Sequence, residues 1–134
     1  MKLIVWLKGR MYMLKEYFYE INKNKNSIKC CQETQIFTRE KINFGYNTQE
    51  EIINDLKDEL NELYIEMKKN DVERIKSEIG DVVFVLCSLS NIYKIDLEEA
   101  LKESNTEYQE RLIYIESRLR NEKSNKNITN ELWK

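Results

Sequence analysis

Apolar residues recur at intervals of three and four in three consecutive stretches of this 134-residue chain, the spacing of an amphipathic helix. A polar residue suited to N-capping precedes each stretch, with a glutamate three positions later, the pattern of a capping box. The three pairs are Thr48 with Glu51, Asn70 with Glu73, and Asp96 with Glu99. Only a few residues separate the stretches, so they predict helices packed as an antiparallel bundle.

The composition agrees with an all-α fold. The chain has no Pro and only 3 Gly, and its charged residues, 34% of the total, alternate in sign as they do on solvated helix faces. With a core of this size and apolar stripes this wide, we expect the chain to associate with itself as a homodimer or homotetramer.

The net charge and the cysteine content restrict the classes of function and the cellular compartment that suit this chain. A net charge of −2 argues against a protein that binds long nucleic acid by neutralising phosphates. The cysteines, Cys30, Cys31 and Cys87, form neither a disulfide framework nor a CxxC pair, which favours a reducing compartment. No stretch has the roughly twenty uncharged apolar residues that a membrane span requires. We therefore expect a cytoplasmic protein that does not enter membranes.

Four acidic residues are the candidate chemical site. Glu59 and Glu62 point the same way from the first capped helix, and Glu78 and Asp81 do so from the second, because residues three apart lie nearly above one another. Glu78 also falls within the apolar stripe of its helix, where an unpaired charge is unfavourable. A hard divalent cation such as Mg²⁺ would relieve the repulsion among four such carboxylates.

Two other interpretations of these carboxylates are open at this point. The pairs ExxE and ExxD also arise by chance as solvated helix faces in a chain with 24 acidic residues. A buried Lys or Arg would also satisfy Glu78 without any metal.

The segment Asp58-Glu59-Leu60-Asn61-Glu62 and, after 15 further residues, Glu78-Ile79-Gly80-Asp81 resemble the EExxE…ExxD pattern of MazG-type pyrophosphohydrolases. The resemblance covers residues 41–116. It includes Lys41-Ile42-Asn43-Phe44-Gly45-Tyr46 beside K-V-G-F-D-W, and Ser104-Asn105-Thr106-Glu107-Tyr108-Gln109-Glu110-Arg111 beside T-N-x-K-F-x-x-R.

This resemblance implies a four-helix active site, completed in an oligomer, that hydrolyses (deoxy)nucleoside triphosphates to monophosphate and pyrophosphate with Mg²⁺. It implies that Glu59, Glu62, Glu78 and Asp81 are the catalytic and metal-binding residues. Asn105 and Arg111 would lie near the phosphates. Tyr46 and Phe44 would contact the base, although as an alternative the two rings form a hydrophobic staple for the helix that begins after Thr48.

The chain departs from the family pattern in several positions. Asp58 replaces the first Glu of EExxE, Asp55 stands where the family often has Lys, and Glu107 replaces the Lys of the K-F pair. Two anions in place of cations would weaken phosphate binding. The alternatives are therefore a phosphoribosyl-ATP pyrophosphohydrolase-like enzyme, or a degenerate module that binds nucleotide or forms oligomers without turnover.

The domain prediction has three parts. Residues 1–40 are an N-terminal extension that holds one helix, around Met11 to Ile21, or is the remnant of a longer protein. Residues 41–120 are the pyrophosphohydrolase-like domain, and residues 121–134 are a polar tail. Within the domain, we expect Gly80 to allow close helix packing and Cys87 to be a small core residue.

Overall fold

The computed structural model describes residues 4–7, 10–23 and 26–123. It divides the chain into two compact units, Met1–Leu97 and Glu98–Lys134. The elements are β1 (Ile4–Leu7), β2 (Arg10–Met13), α1 (Leu14–Asn22), α2 (Ser27–Ile42), α3 (Gln49–Lys69), α4 (Val72–Ile92) and α5 (Leu97–Asn121). The predicted all-α fold class is confirmed. The strands β1 and β2 form one antiparallel hairpin, which the sequence analysis did not predict.

The first capped helix, α3, begins as predicted. The Thr48 side chain accepts a hydrogen bond from the Glu51 N–H at 3.1 Å. The Glu51 carboxylate in turn accepts a hydrogen bond from the backbone. The donor is the Asn47 N–H, at 2.8 Å, and not the Thr48 N–H that a capping box would use. The α3 start is therefore held by two reciprocal bonds that satisfy otherwise unpaired N–H groups.

The predicted start of α4 is wrong by one residue. Asp71 caps α4 by accepting from the Arg74 N–H at 3.3 Å. Asn70 instead ends α3 in the left-handed conformation, with φ of 58°, a role for which Asn is second only to Gly. Because Asn70 and Asp71 are both good capping residues, spacing alone did not separate the end of one helix from the start of the next.

The fifth helix follows Asp96, as its capping pattern predicted, and runs to Asn121. Nearly all of it belongs to the second compact unit. The part of the predicted polar tail from residue 124 onward, including Leu132 and Trp133, lies outside the described residues.

The N-terminal helix packs on α2 through a small aromatic core. The rings of Tyr17 and Phe37 stack with their centroids 3.6 Å apart, and Phe18 meets Phe37 edge to face at 6.2 Å. Ile21 and Phe37 are the buried centre of this cluster. The helix predicted near Met11 to Ile21 is thus present, but it begins at Leu14 because residues 10–13 pair in the hairpin.

Helix α2 is joined to α4 by side-chain amides. Buried Gln32 donates to the Asn91 side chain at 3.0 Å and to the Ile95 carbonyl at 2.9 Å, and it accepts from the Leu97 N–H at 3.0 Å. One turn later, Gln35 donates to the Phe84 carbonyl at 2.9 Å. Buried polar groups satisfied this fully fix the relative position of the two helices.

The connection between α3 and α4 is Asn70 and Asp71 alone, so the two helices run antiparallel as a hairpin. Cys87 of α4 is 1% exposed and is a core residue, as predicted. No helix in the described ranges is long and apolar enough to cross a lipid bilayer.

Candidate metal centre

The α3–α4 hairpin brings three of the four predicted carboxylates together. Glu59 of α3 and Glu78 and Asp81 of α4 each offer an oxygen, and these three oxygens lie within 4.8 Å of one another. Glu62 lies outside this group, yet it is close enough for its charge to raise the pKa values of Glu59 and Glu78. Glu59, Glu62, Glu78 and Asp81 together form the acidic cluster.

Within the ranges that the structure describes, no side-chain cation compensates the charge of the acidic cluster. Glu59 Oε2 and Glu78 Oε2 are both buried and have no hydrogen-bond partner. In the part of the chain that the structure describes, no Lys or Arg nitrogen lies within 4.0 Å of the four carboxylates. The interpretation of Glu78 as a group paired with a buried Lys or Arg is therefore not realised there.

Burial and the crowding of carboxylates raise the pKa values of Glu59 and Glu78. Burial, followed by the charges of Glu62 and Asp81, raises the pKa of Glu59 from 4.5 to about 7. Burial and then the charge of Glu62 raise the pKa of Glu78 as well. Each shift has the same cause, because a buried anion among other anions is costly to ionise.

Glu66, one turn beyond Glu62 on the same face of α3, shows the contrast. Its Oε1 accepts from Arg74 at 3.3 Å and lies 3.6 Å from Lys69 Nζ. Among the described residues, cations therefore lie beside the last carboxylate of this face, Glu66, and none lies beside the acidic cluster. Glu66 was not among the residues predicted from the sequence, although its spacing of four from Glu62 indicates the shared face.

Oxygen ligands from two helices, with buried unpaired oxygens and no cation from the described residues beside them, suit a hard divalent cation. Glu59, Glu78 and Asp81 are the residues that could hold it, with Glu62 beside them. Gly80, between Glu78 and Asp81 in sequence, does not serve close packing against the described residues of this chain. A Cβ there would meet no atom within 4 Å among the described residues, so that prediction is wrong.

The two aromatic residues predicted to contact the base, Tyr46 and Phe44, lie in different environments. The Tyr46 hydroxyl donates to Asp55 Oδ2, and its half-buried ring is close enough to Glu59 for that charge to add to the raised pKa of the phenol, after burial and Asp55. Phe44 is 71% exposed, too open for the ring of a hydrophobic staple. The contact of Tyr46 with Asp55 was not predicted from the sequence.

The other two predicted substrate residues, Asn105 and Arg111, are on α5 and are exposed. Both belong to the second compact unit, Glu98–Lys134. Their contact with phosphates stays a prediction.

Comparison with known proteins agrees with this geometry. A family model described as the MazG nucleotide pyrophosphohydrolase domain matches residues 47–113, half of the chain and the segment that carries the acidic cluster. The uncharacterized protein YabN of Bacillus subtilis (strain 168) is 40% identical to this chain over 48 residues. That match covers 36% of this chain and 10% of YabN, so the chain spans only a small part of that relative's length.

We expect Glu78→Gln to weaken Mg²⁺ binding at least about tenfold, because unit charges 4 Å apart interact by about 4 kcal/mol at an effective dielectric of 20. The amide keeps the shape of the side chain but not its charge. The metal-free variant should melt at a higher temperature than the metal-free wild type, since one repelling anion is gone. Isothermal titration calorimetry and thermal unfolding measure the two effects.

Glu73→Gln is the matched control, since it removes an exposed carboxylate from the first turn of the same helix. It should leave Mg²⁺ affinity unchanged. Undiminished affinity in Glu78→Gln would show that this carboxylate does not hold the cation.

The stability of the metal-free protein should fall as pH rises from about 4.5 to about 7, the interval between the ordinary and the folded pKa of Glu59. In this interval the folded protein retains a proton that the unfolded chain releases, so raising the pH favours unfolding. Urea denaturation at a series of pH values measures the slope. Glu59→Gln should remove this part of the slope, and saturating Mg²⁺ should stabilise the wild type most above pH 7. An identical pH dependence in wild type and variant would contradict the assignment.

Proposed function

We propose a specific reaction for this chain, which belongs to the family of MazG nucleotide pyrophosphohydrolase domains. The reaction is hydrolysis of (deoxy)nucleoside triphosphates to the monophosphate and pyrophosphate, with Mg²⁺ held by Glu59, Glu62, Glu78 and Asp81. The observation that carries the proposal is the acidic cluster, where three carboxylate oxygens meet within 4.8 Å without a cation from the described part of the protein.

Mg²⁺, when bound, supplies positive charge to the phosphate oxygens and lowers the pKa of a water molecule. The protein's own part is to orient its carboxylates and to accept a proton. A carboxylate of the acidic cluster, or neighbouring Asp58, accepts the proton from the attacking water. The chain contains no His, and this reaction requires none.

Substrate binding is proposed for residues outside the cluster. Tyr46 is half-buried near Glu59, and Phe44 is exposed in the same loop, so both rings are suited to contact the nucleoside. Asn105 and Arg111 are proposed to bind the phosphates, since an amide and a guanidinium both donate hydrogen bonds to anionic oxygens.

We also propose that the chain acts as a homodimer or homotetramer in the cytoplasm, where its three cysteines, all free thiols, would stay reduced. Exposed apolar residues form one stripe on α3 and another on α4. The α3 stripe contains Ile53, Leu60, Tyr64 and Met67, and the α4 stripe contains Val72, Ile79 and Val83.

Each stripe contains the residue that follows a carboxylate of the acidic cluster, Leu60 after Glu59 and Ile79 after Glu78. Each stripe is therefore rotated by about 100° around its helix axis from the face that carries the cluster. Because α3 and α4 are antiparallel, this equal offset turns the two stripes toward the same side of the hairpin. A continuous apolar side of this kind is typical of an interface with another chain.

The direct test of the reaction is release of pyrophosphate from a panel of NTPs, dNTPs and phosphoribosyl-ATP, with Mg²⁺ and with a chelator. We expect pyrophosphate with Mg²⁺ only, and no orthophosphate. Asp81→Asn should abolish it, and Glu73→Gln should not. Turnover of phosphoribosyl-ATP alone would favour the phosphoribosyl-ATP enzyme, and no turnover of any substrate would favour a degenerate module.

The oligomer is tested by light scattering at micromolar concentration. We expect the wild type to be a dimer or tetramer and Tyr64→Glu to shift it toward monomer, because a charge in a buried apolar interface is unfavourable. Ile36→Glu, which changes an exposed apolar residue of α2, is the matched control. A monodisperse wild-type monomer would contradict the proposal.

A further inference from the structure

The loop between α2 and α3, residues 43–48, is fixed at both of its ends. At the first end the Phe44 N–H donates to the Thr38 carbonyl at 3.1 Å, which closes the C-terminus of α2. At the second end the Asn47 N–H donates to the Glu51 carboxylate at 2.8 Å. Arg39 also reaches across the loop and donates to Asn47 Oδ1 at 3.2 Å.

The middle of this loop is fixed by one side-chain contact. Gly45 has a φ of +144°, a conformation that residues with a Cβ rarely adopt, and the chain turns there between Phe44 and Tyr46. The Tyr46 hydroxyl then donates its single proton to Asp55 of α3. Both partners are half-buried, so water competes for this bond less than it would at the surface.

Asp55 lies on the same face of α3 as Glu59, one turn before it. The bond therefore holds the Tyr46 ring at the edge of the acidic cluster. A lysine at position 55 would have no acceptor to offer the phenol, whereas aspartate does.

We infer that Asp55 is a positioning residue, which holds Tyr46 beside the acidic cluster so that the loop 43–48 forms a fixed wall for the nucleoside part of the substrate. The inference rests on the proposed function. The phenol proton is already used, so Tyr46 contacts the nucleoside with its ring. Recognition of this kind tolerates different bases and favours a nucleotide over a bare polyphosphate.

The test compares three single variants and one double variant. Asp55→Ala removes the acceptor, Tyr46→Phe removes the donor but keeps the ring, and Asp55→Asn keeps an acceptor oxygen without the charge. We expect the first two to raise KM for the nucleoside triphosphate about three- to tenfold with little change in kcat, the effect of losing one partly buried hydrogen bond. The double variant Tyr46→Phe with Asp55→Ala should be no worse than either single variant. Asp55→Asn should restore most of the loss.

Two controls separate positioning from general damage. Inhibition by inorganic tripolyphosphate, which lacks a nucleoside, should be unchanged in all three variants. Tyr19→Phe removes the hydroxyl of an exposed tyrosine on α1 and should leave KM unchanged. Additive effects in the double variant, or equal loss in Asp55→Asn and Asp55→Ala, would overturn the inference.

Amide hydrogen exchange of residues 43–48 tests the contact without any turnover. Exchange should accelerate in Asp55→Ala and Tyr46→Phe alike, and stay near the wild-type rate in Asp55→Asn. If the wild type hydrolyses no nucleotide, the proposed function fails, while the exchange pattern still decides whether Asp55 holds the loop. Unchanged exchange in Asp55→Ala would overturn the inference whatever the activity.

Discussion

The repulsion among the carboxylates of the α3–α4 hairpin is the interaction on which the rest of the structure depends. Glu59 and Glu78 each have a buried oxygen without a hydrogen-bond partner, and burial among anions raises the pKa of Glu59 to about 7. A cluster of this kind lowers stability unless protons or a cation neutralise it. The same hairpin pairs Glu66 of α3 with Arg74 of α4, so it can accommodate a cationic side chain beside a buried carboxylate. The acidic cluster is therefore suited to a cation from solution.

The scaffold keeps these carboxylates together. The two-residue connection at Asn70 and Asp71 forces α3 and α4 into an antiparallel hairpin, which sets Glu59 opposite Glu78 and Asp81. The hydrogen bonds of buried Gln32 then fix α2 against α4. Such fixed support matters because a metal site needs ligands whose positions are set before the cation binds.

Local signals in the sequence predicted α3, α4 and α5, because capping residues and apolar spacing act within a few residues of one another. The spacing of the carboxylates on two consecutive helices placed them on facing sides, and the resemblance to the EExxE…ExxD pattern singled them out. Features that depend on residues distant in the sequence could not be predicted in this way. Helix α2 buries Gln32 as well as Phe37, and the hydrogen-bond partners of Gln32, Asn91 and Ile95, are 59 and 63 residues away. The bond between Tyr46 and Asp55 joins a loop to a helix, a contact that helical periodicity does not indicate.

The most direct test of the metal centre is the number of protons released when Mg²⁺ binds to the metal-free protein. Isothermal titration calorimetry in two buffers of different ionisation enthalpy gives this number. Near about pH 6.5 we predict release of roughly half a proton or more per chain, because the cation displaces the proton that Glu59 retains, and release close to zero by about pH 8.5. Mg²⁺ binding without proton release at the lower pH, or no binding at either pH, would contradict the account.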